Sequence, residues 1–236
     1  MNTKKIAKDM AFAVFAQGLS TAVSVILTLL LPKILGVAEF GYWQLFIFYL
    51  SYVGFFHLGI NDGVYLINGG KTREELDKKS IDSQFLFSAA YQLLISFIII
   101  VIALVGPFEP NRQFVIVCIG VILLANNCSF YLGYVFQAVN ETSLFSFSSA
   151  LDALAFFVAL VVLAVFGVDS FEPYIVFYVI AKIIRLIYCV HKSKDILSSG
   201  HLSLSESVQE SFDSIRVGIK LMFANIVSSL ILGVVR

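Results

Sequence analysis

The stretch LTLLLPKILGVAEFGYWQLFIFYL, Leu27 to Leu50, is apolar at almost every position, yet it carries Pro32, Lys33 and Glu39 near its middle. It reads either as the core of a soluble domain or as two membrane spans meeting at a tight turn. A span across the ~30 Å hydrocarbon layer takes about 20 mostly apolar residues. Proline costs a helix interior one backbone hydrogen bond, so Pro32 to Glu39 reads as the turn and its flanks as spans.

Composition supports the membrane reading. The chain is 59% hydrophobic and 14% charged, with 23 Phe in 236 residues, and its mean hydropathy is +0.91. Soluble domains carry about 25% charged residues. The run ALDALAFFVALVVLAVFGV (150–168) holds a single charge, Asp152. Windows of this kind place spans near 10–31, 40–60, 84–106, 113–137, 144–168 and 173–190, with a seventh starting near 217. The short alternating strands of a membrane barrel are missing from the pattern, so the fold class is an all-α polytopic transmembrane helix bundle. Pro32, Pro107, Pro110 and Pro173 fall in alternate connections.

Lys and Arg set the orientation. Lys4, Lys5 and Lys8 precede the first span, Lys71, Arg73, Lys78 and Lys79 follow the second, and Lys192, Lys194 and Arg216 follow the sixth. The proline-bearing connections carry only Lys33 and Arg112. The expected N-terminus is therefore cytoplasmic. The basic start is not read as a cleaved signal, because the apolar run after it is too long and meets no small-residue cleavage site. TREE (72–75), SLSE (203–206) and SVQE (207–210) have capping-box spacing. Leu204, Val208, Phe212, Ile215 and Ile219 recur at helical spacing and predict an interfacial amphipathic helix feeding the seventh span.

FAQGLS (15–20) and FANIVS (223–228) echo one another, with Gln17 matching Asn225. Read as a repeat, the echo makes 1–190 a six-helix lobe, 191–216 a connector and 217–236 the start of a second lobe in parallel orientation. The chain is then expected to be one half, plus a fragment, of a larger transporter.

Several classes of function are excluded. A formal net charge of +0 offers no basic field for nucleic acid. Cys118, Cys128 and Cys189 are dispersed in apolar segments, without disulfide or metal-ligand spacing. GGKT (69–72) resembles the tail of a phosphate-binding loop, but Tyr65 stands where that loop needs its first glycine. No arrangement of nucleophile, base and acid stands out, so no enzyme and no cofactor is expected.

Polar groups inside a span must face protein or a watery cavity. Gln17, Ser20, Thr21, Ser24 and Thr28 share one face of span one. Gln84, Ser88, Gln92 and Ser96 do so in span three, and Asn127, Tyr131, Tyr134 and Gln137 in span four. Interhelical bonding and a cavity both account for these rows. Tyr174, Tyr178, Lys182 and Arg185 lie on one face of span six, Tyr174 as an interfacial belt residue and Arg185 within reach of the cytoplasmic end. Lys182 lies deeper, at the depth of Asp152. A structural ion pair, or cationic groups lining a cavity with Asp152 as counter-charge or protonatable switch, both fit. His57, near the outer end of span two, reads as a packing residue.

The basic tail, FAQGLS, LPKILGVAEFGYWQ (31–44) and VGFFHLGINDGVYLINGGK (53–71) together resemble the Wzx-type polysaccharide flippases of the multidrug/oligosaccharidyl-lipid/polysaccharide exporter superfamily. The second segment is similar to that family's LG-x-x-x-[FY]-G signature. The resemblance implies two six-helix lobes around a central cavity, in a bacterial plasma membrane. It implies export of an undecaprenyl-pyrophosphate-linked oligosaccharide repeat unit to the outer leaflet by alternating access, alongside a polysaccharide polymerase and glycosyltransferases. Lys182 and Arg185 would hold the pyrophosphate. Asp152, Gln17, Ser24, Gln92, Asn127, Tyr178 and Asn225 would complete the cavity. The alternatives are a cation-coupled multidrug exporter of the same superfamily and a truncated or non-transporting membrane component.

Overall fold

Leu27 to Leu50 folds as the end of one helix and most of the next. In the computed structural model, which describes the backbone of residues 3–234 and the side chains of residues 11–228, α1 (Thr3–Ile34) is followed by α2 (Val37–Val53). The turn is only Leu35–Gly36, so Pro32 lies inside the last turn of α1 instead of opening the connection. There it removes one donor from a helix end whose carbonyls are already running out of partners.

The remaining helices are α3 (Ile60–Asn68), α4 (Lys78–Val105), α5 (Pro110–Ala138), α6 (Thr142–Val165), α7 (Glu172–Lys192), the short α8 (Lys194–Leu197) and α9 (Leu204–Val234). Their starts follow local chemistry. The Asp77 side chain accepts from Ser80 N at the head of α4, and Pro110 and Pro173 open α5 and α7, where a missing N–H costs nothing. At α9, Ser203 N donates to Glu206 Oε2 at 3.0 Å while Glu206 N donates back to Ser203 Oγ at 3.4 Å. Thr72 N donates likewise to Glu75 Oε2, but only a turn follows.

Among the described residues, five helices are long and apolar enough to cross a membrane, and a bent pair, counted as one span, brings the number to six. That pair revises the expected second span. Instead of running unbroken over 40–60, the helix stops at Val53, makes a 3₁₀ turn over Gly54–His57, and passes through left-handed Leu58 (φ +52°) and Gly59 (φ +87°). It restarts as α3, bent by 52°.

The expected interfacial helix and the start of the seventh span are likewise one continuous helix, α9. Its buried stripe is Ser207, Ser211, Ser214, Gly218 and Met222, while Leu204 and Phe212 of the apolar stripe are exposed. Small residues permit a close approach to α3 and α4 that leucines would block, and Ser207 and Ser211 satisfy their hydroxyls on carbonyls one turn back. The end of that span, at Arg236, lies outside the described residues.

Helix α5 is the central strut, packed by α2, α3, α4, α6 and α7; α1 lies outside α6, and α9 lies outside α3 and α4. The basic connections meet at one end of the bundle. Arg73 donates to Asp195 (Nε at 3.1 Å, Nη2 at 2.6 Å), to Glu141, and to the Lys192 carbonyl at 2.6 Å. At the proline-bearing end, Tyr42 donates to Glu109 at 2.9 Å and Phe171 N to Glu39 at 3.0 Å.

Two apolar cores fill the bundle. One, towards the proline-bearing end, gathers Trp43, Phe46, Ile122, Leu123, Phe156, Leu160 and Phe171. The other, towards the basic end, gathers Ile60, Val64, Ile81, Tyr131, Leu132, Phe136 and Cys189. In α5 the first core ends at Leu123 and the second begins at Tyr131. The residues between them, on every packed helix, form a polar layer across the middle of the bundle.

Candidate functional site

The polar layer holds two clusters. The first is built on α6 and α7. On α7, residues four apart lie on one face, and that face points into the bundle. Tyr174 is fully buried, with its hydroxyl donating to the Val168 carbonyl at 2.8 Å. It is therefore a core residue and not the interfacial belt residue expected. Tyr178 meets Phe156, Phe46 and Trp43 edge-on, with centroids 4.9, 5.5 and 6.1 Å away. Trp43 in turn stacks on Phe156 at 7°.

One turn deeper, Lys182 Nζ donates to Asp152 Oδ2 at 2.6 Å and lies 5.4 Å from the Tyr178 ring centroid. Arg185 Nη1 reaches the same oxygen at 3.5 Å. Arg185 is 2% exposed, so it does not snorkel to an interface. Its guanidinium sits 4.3 Å from the Phe130 centroid and 5.7 Å from that of Phe145. Gly133 leaves the room, since a methyl group there would press on Phe145.

Two cations share one carboxylate, so the cluster carries an excess positive charge. Nε and Nη2 of Arg185 make no hydrogen bond among the described residues. Buried donors without acceptors are costly, and an excess charge at mid-membrane depth more so. Both costs fall when an anion is near.

A cavity of about 240 Å³ reaches this cluster, lined by Ser20, Ser24, Trp43, Phe156, Tyr178, Asp152 and Lys182 among others. It continues along the exposed polar face of α1, where Gln17, Ser20, Thr21, Ser24 and Thr28 line an open groove. Ser20, Thr21 and Thr28 bond back to carbonyls of their own helix, which leaves the hydroxyl oxygens able to accept from a ligand.

The second cluster surrounds the break between α2 and α3. Asn127 Nδ2 donates to the Val53 carbonyl and to Gln92 Oε1, both at 3.0 Å, and Gln92 Nε2 donates to the Phe56 carbonyl at 2.9 Å. Asn61 Nδ2 donates to the Asn127 carbonyl at 3.3 Å. These amides take up backbone groups freed where the helix stops, as lipid cannot. Gln92 and Asn127 therefore stitch helices together and do not line the Lys182 cavity.

Asn225 also lies here, donating to Asp62 Oδ1 at 3.3 Å. Two more members of α4's polar row are interhelical: Ser214 Oγ donates to Gln84 Oε1 at 2.6 Å, and Ser96 Oγ to the Gly120 carbonyl, whereas Ser88 Oγ makes no hydrogen bond among the described residues. His57 is not at an outer end but at the break, with Nε2 3.6 Å from Asp62 Oδ2.

Of the residues expected from sequence to line a cavity, Lys182, Arg185, Asp152, Tyr178 and Ser24 meet at the first cluster, with Gln17 further along its groove. Gln92, Asn127 and Asn225 gather at the second. Asp62, 2% exposed, is a member of the second cluster that the sequence reading missed. Compared with family models, with characterised proteins and with solved structures, the chain has no match.

Proposed function

We propose that the chain is a lobe of a membrane exporter that flips a lipid-linked oligosaccharide, of the undecaprenyl-pyrophosphate type, from the cytoplasmic to the outer leaflet of a bacterial plasma membrane by alternating access. The observation that carries the reading is the Asp152–Lys182–Arg185 cluster, a buried excess of positive charge that meets a cavity through Lys182 and Asp152. A pyrophosphate in that cavity supplies the negative charge that Asp152 alone does not. The Trp43, Phe156 and Tyr178 rings and the hydroxyls of α1 offer stacking faces and hydrogen bonds of the kind sugars use. The N-terminus is on the cytoplasmic side in this reading, from the Lys and Arg distribution.

The test is export in cells whose only copy carries Lys182→Ala with Arg185→Ala. Lipid-linked repeat units accumulate on the cytoplasmic leaflet and surface polysaccharide is lost, while the protein remains in the membrane at normal amount. Full export by this double variant overturns the reading. The alternative is a cation-coupled multidrug exporter, and a drug-resistance profile unchanged on deletion separates the two.

A further inference from the structure

The break between α2 and α3 has a feature that the flippase reading does not use. Leu58 and Gly59 are both left-handed. For a leucine this costs roughly 1–2 kcal/mol, and such strain persists only where the surroundings impose it. Helix α9 packs directly on the kink: a methyl group on Gly59 would meet the Ile219 backbone nitrogen at 2.7 Å and the Gly218 carbonyl carbon at 2.9 Å. The kink is thus wedged against a neighbouring helix.

His57 closes the kink from inside. Gly59 N donates to His57 Nδ1 at 3.0 Å. Because Nδ1 accepts, the ring proton of this neutral imidazole is on Nε2, and Nε2 faces Asp62 Oδ2. At 3.6 Å that contact is too long for a hydrogen bond, and Asp62 Oδ2 has no other partner among the described residues. Asn61 Oδ1 beside it is also without one. The imidazole lies between two partners, bonded to the hinge amide and short of the carboxylate.

Two small cavities adjoin His57, and one of them also reaches Asp62. One of about 130 Å³ is lined by His57, Asp62, Tyr134, Met222 and Asn225 among others. The second, of about 160 Å³, is lined by His57, Asn61, Asn126, Asn127, Phe130 and Tyr134 together with Gly54. Each has room for water, at about 30 Å³ per molecule. Other polar groups face the pair. Helix α5 brings the Tyr134 hydroxyl and α9 the Asn225 amide. On α7, Arg185 stands behind the Phe130 ring, and on α4 the Gln92 amide is bonded to the Phe56 carbonyl beside His57.

We propose that His57 and Asp62 form a proton-binding hinge, in which the protonation of Asp62 decides whether His57 holds Gly59 or turns to the carboxylate, and so sets the angle between α2 and α3. With a proton on Asp62 Oδ2, the carboxyl makes no demand on Nε2–H, and His57 stays on the Gly59 amide, as seen. When that proton leaves through the water-sized cavity, the carboxylate draws Nε2–H in, Nδ1 is pulled from Gly59 N, and the left-handed pair loses its internal brace. One proton leaves Asp62, and no covalent bond other than its O–H breaks. The hinge stands on its own whatever the cargo.

The experiment is a distance measurement across the kink. Spin labels are placed at Phe48 and Leu66, both exposed, in the full chain in lipid nanodiscs, and the distance distribution is recorded from pH 5 to pH 9. Two populations exchanging with pH are expected. Asp62→Asn, which keeps the size and cannot ionise, is expected to hold the low-pH distance at every pH. His57→Gln is expected to lose the exchange while remaining folded, and it serves if Asp62→Asn does not fold. A pH-independent distance in the parent chain overturns the proposal, as does pH exchange that survives both variants. Exchange driven by sodium at fixed pH overturns it too, in favour of a metal-cation site.

Discussion

Replacing Gly63 with alanine sets a methyl group where the Ser214 carbonyl oxygen already stands. A Cβ on Gly63 overlaps that oxygen, and it comes within 2.9 Å of the Ser214 Cα. A Cβ on Gly218 from the opposite side overlaps the Gly59 carbonyl oxygen and the Gly63 nitrogen. Both obstacles are backbone, so no side chain can rotate away. The α3–α9 pair has to part by about an ångström or more, and overpacking of this kind costs roughly 1–3 kcal/mol. Close backbone approach is also the main source of attraction between helices in lipid, where the hydrophobic effect is lost. Parting the pair weakens the Ser214–Gln84 and Asn225–Asp62 bonds as well. The expected cost of Gly63→Ala is therefore about 2–4 kcal/mol, from overpacking plus one or two lost interhelical bonds. Gly63→Ala with Gly218→Ala is expected to cost less than the sum, because one separation relieves both clashes. The assay is reversible unfolding in mixed detergent micelles, with Gly18→Ala as control. Gly18 lies in α1, and a methyl group there would meet nothing within 4 Å, so alanine is expected to stabilise by about 0.5–1 kcal/mol through helix propensity. If Gly63→Ala behaves like Gly18→Ala, the close crossing of α3 and α9 is wrong.

At the basic end, hydrogen bonds from the Arg73 guanidinium, assisted by Lys78, hold the Asp195 carboxyl below the ordinary carboxylate range. A depressed folded-state value means that the clamp's stabilisation is present above about pH 4, where an unfolded aspartate ionises, and is lost as the pH falls further. Acid unfolding of Asp195→Asn is expected to lack that limb, and Arg73→Ala to cost about 1 kcal/mol at neutral pH, since the cluster is partly exposed. In the polar layer, Asn127→Ala removes two donated bonds and strands Gln92 Oε1. The expected loss is about 1–3 kcal/mol in the same unfolding assay, at the upper end if no water replaces the amide.

Neither polar cluster is isolated from the other. Phe130 is the shared wall: one environment of its ring is the Arg185 guanidinium, and the ring also lines the cavity beside His57 and Asn61. The same helix carries Asn127, which ties both halves of the broken span, through the Val53 carbonyl and Asn61, to the bundle. Helix α5 thus bears the stitched kink at Asn127 and the seat of Arg185 at Phe130 and Gly133, within two turns. A movement of α3 against α2 acts on this helix directly. The physical carrier between the clusters is a rigid helix with contacts on both sides, and no chain of side-chain hydrogen bonds has to be invoked.

What could be read from the sequence followed the strength of each residue's departure from its surroundings. Asp152 and Lys182 stand in long apolar runs, so their depth and mutual reach followed from span boundaries alone, and the structure brings them to 2.6 Å. Serine and glutamine rows read equally well as cavity or as helix contact, because a hydroxyl that bonds its own helix and one that bonds a neighbour have the same spacing. Only the folded structure separates Ser20, which bonds within α1, from Ser96, which bonds across to α5. Asp62 was hidden for a different reason. A window average treats a span as unbroken, so the first charge after an apolar run is assigned to the loop beyond it. The segment Gly59-Ile60-Asn61-Asp62-Gly63 nevertheless carried a signal. An amide and an acid bracketed by two glycines, and followed by the still apolar Val64 to Ile67, do not resemble a solvated connection. Glycine four residues from glycine marks a surface on which another helix can lie. An acid on that same short helix must then be buried by whatever lies there, as α9 buries Asp62.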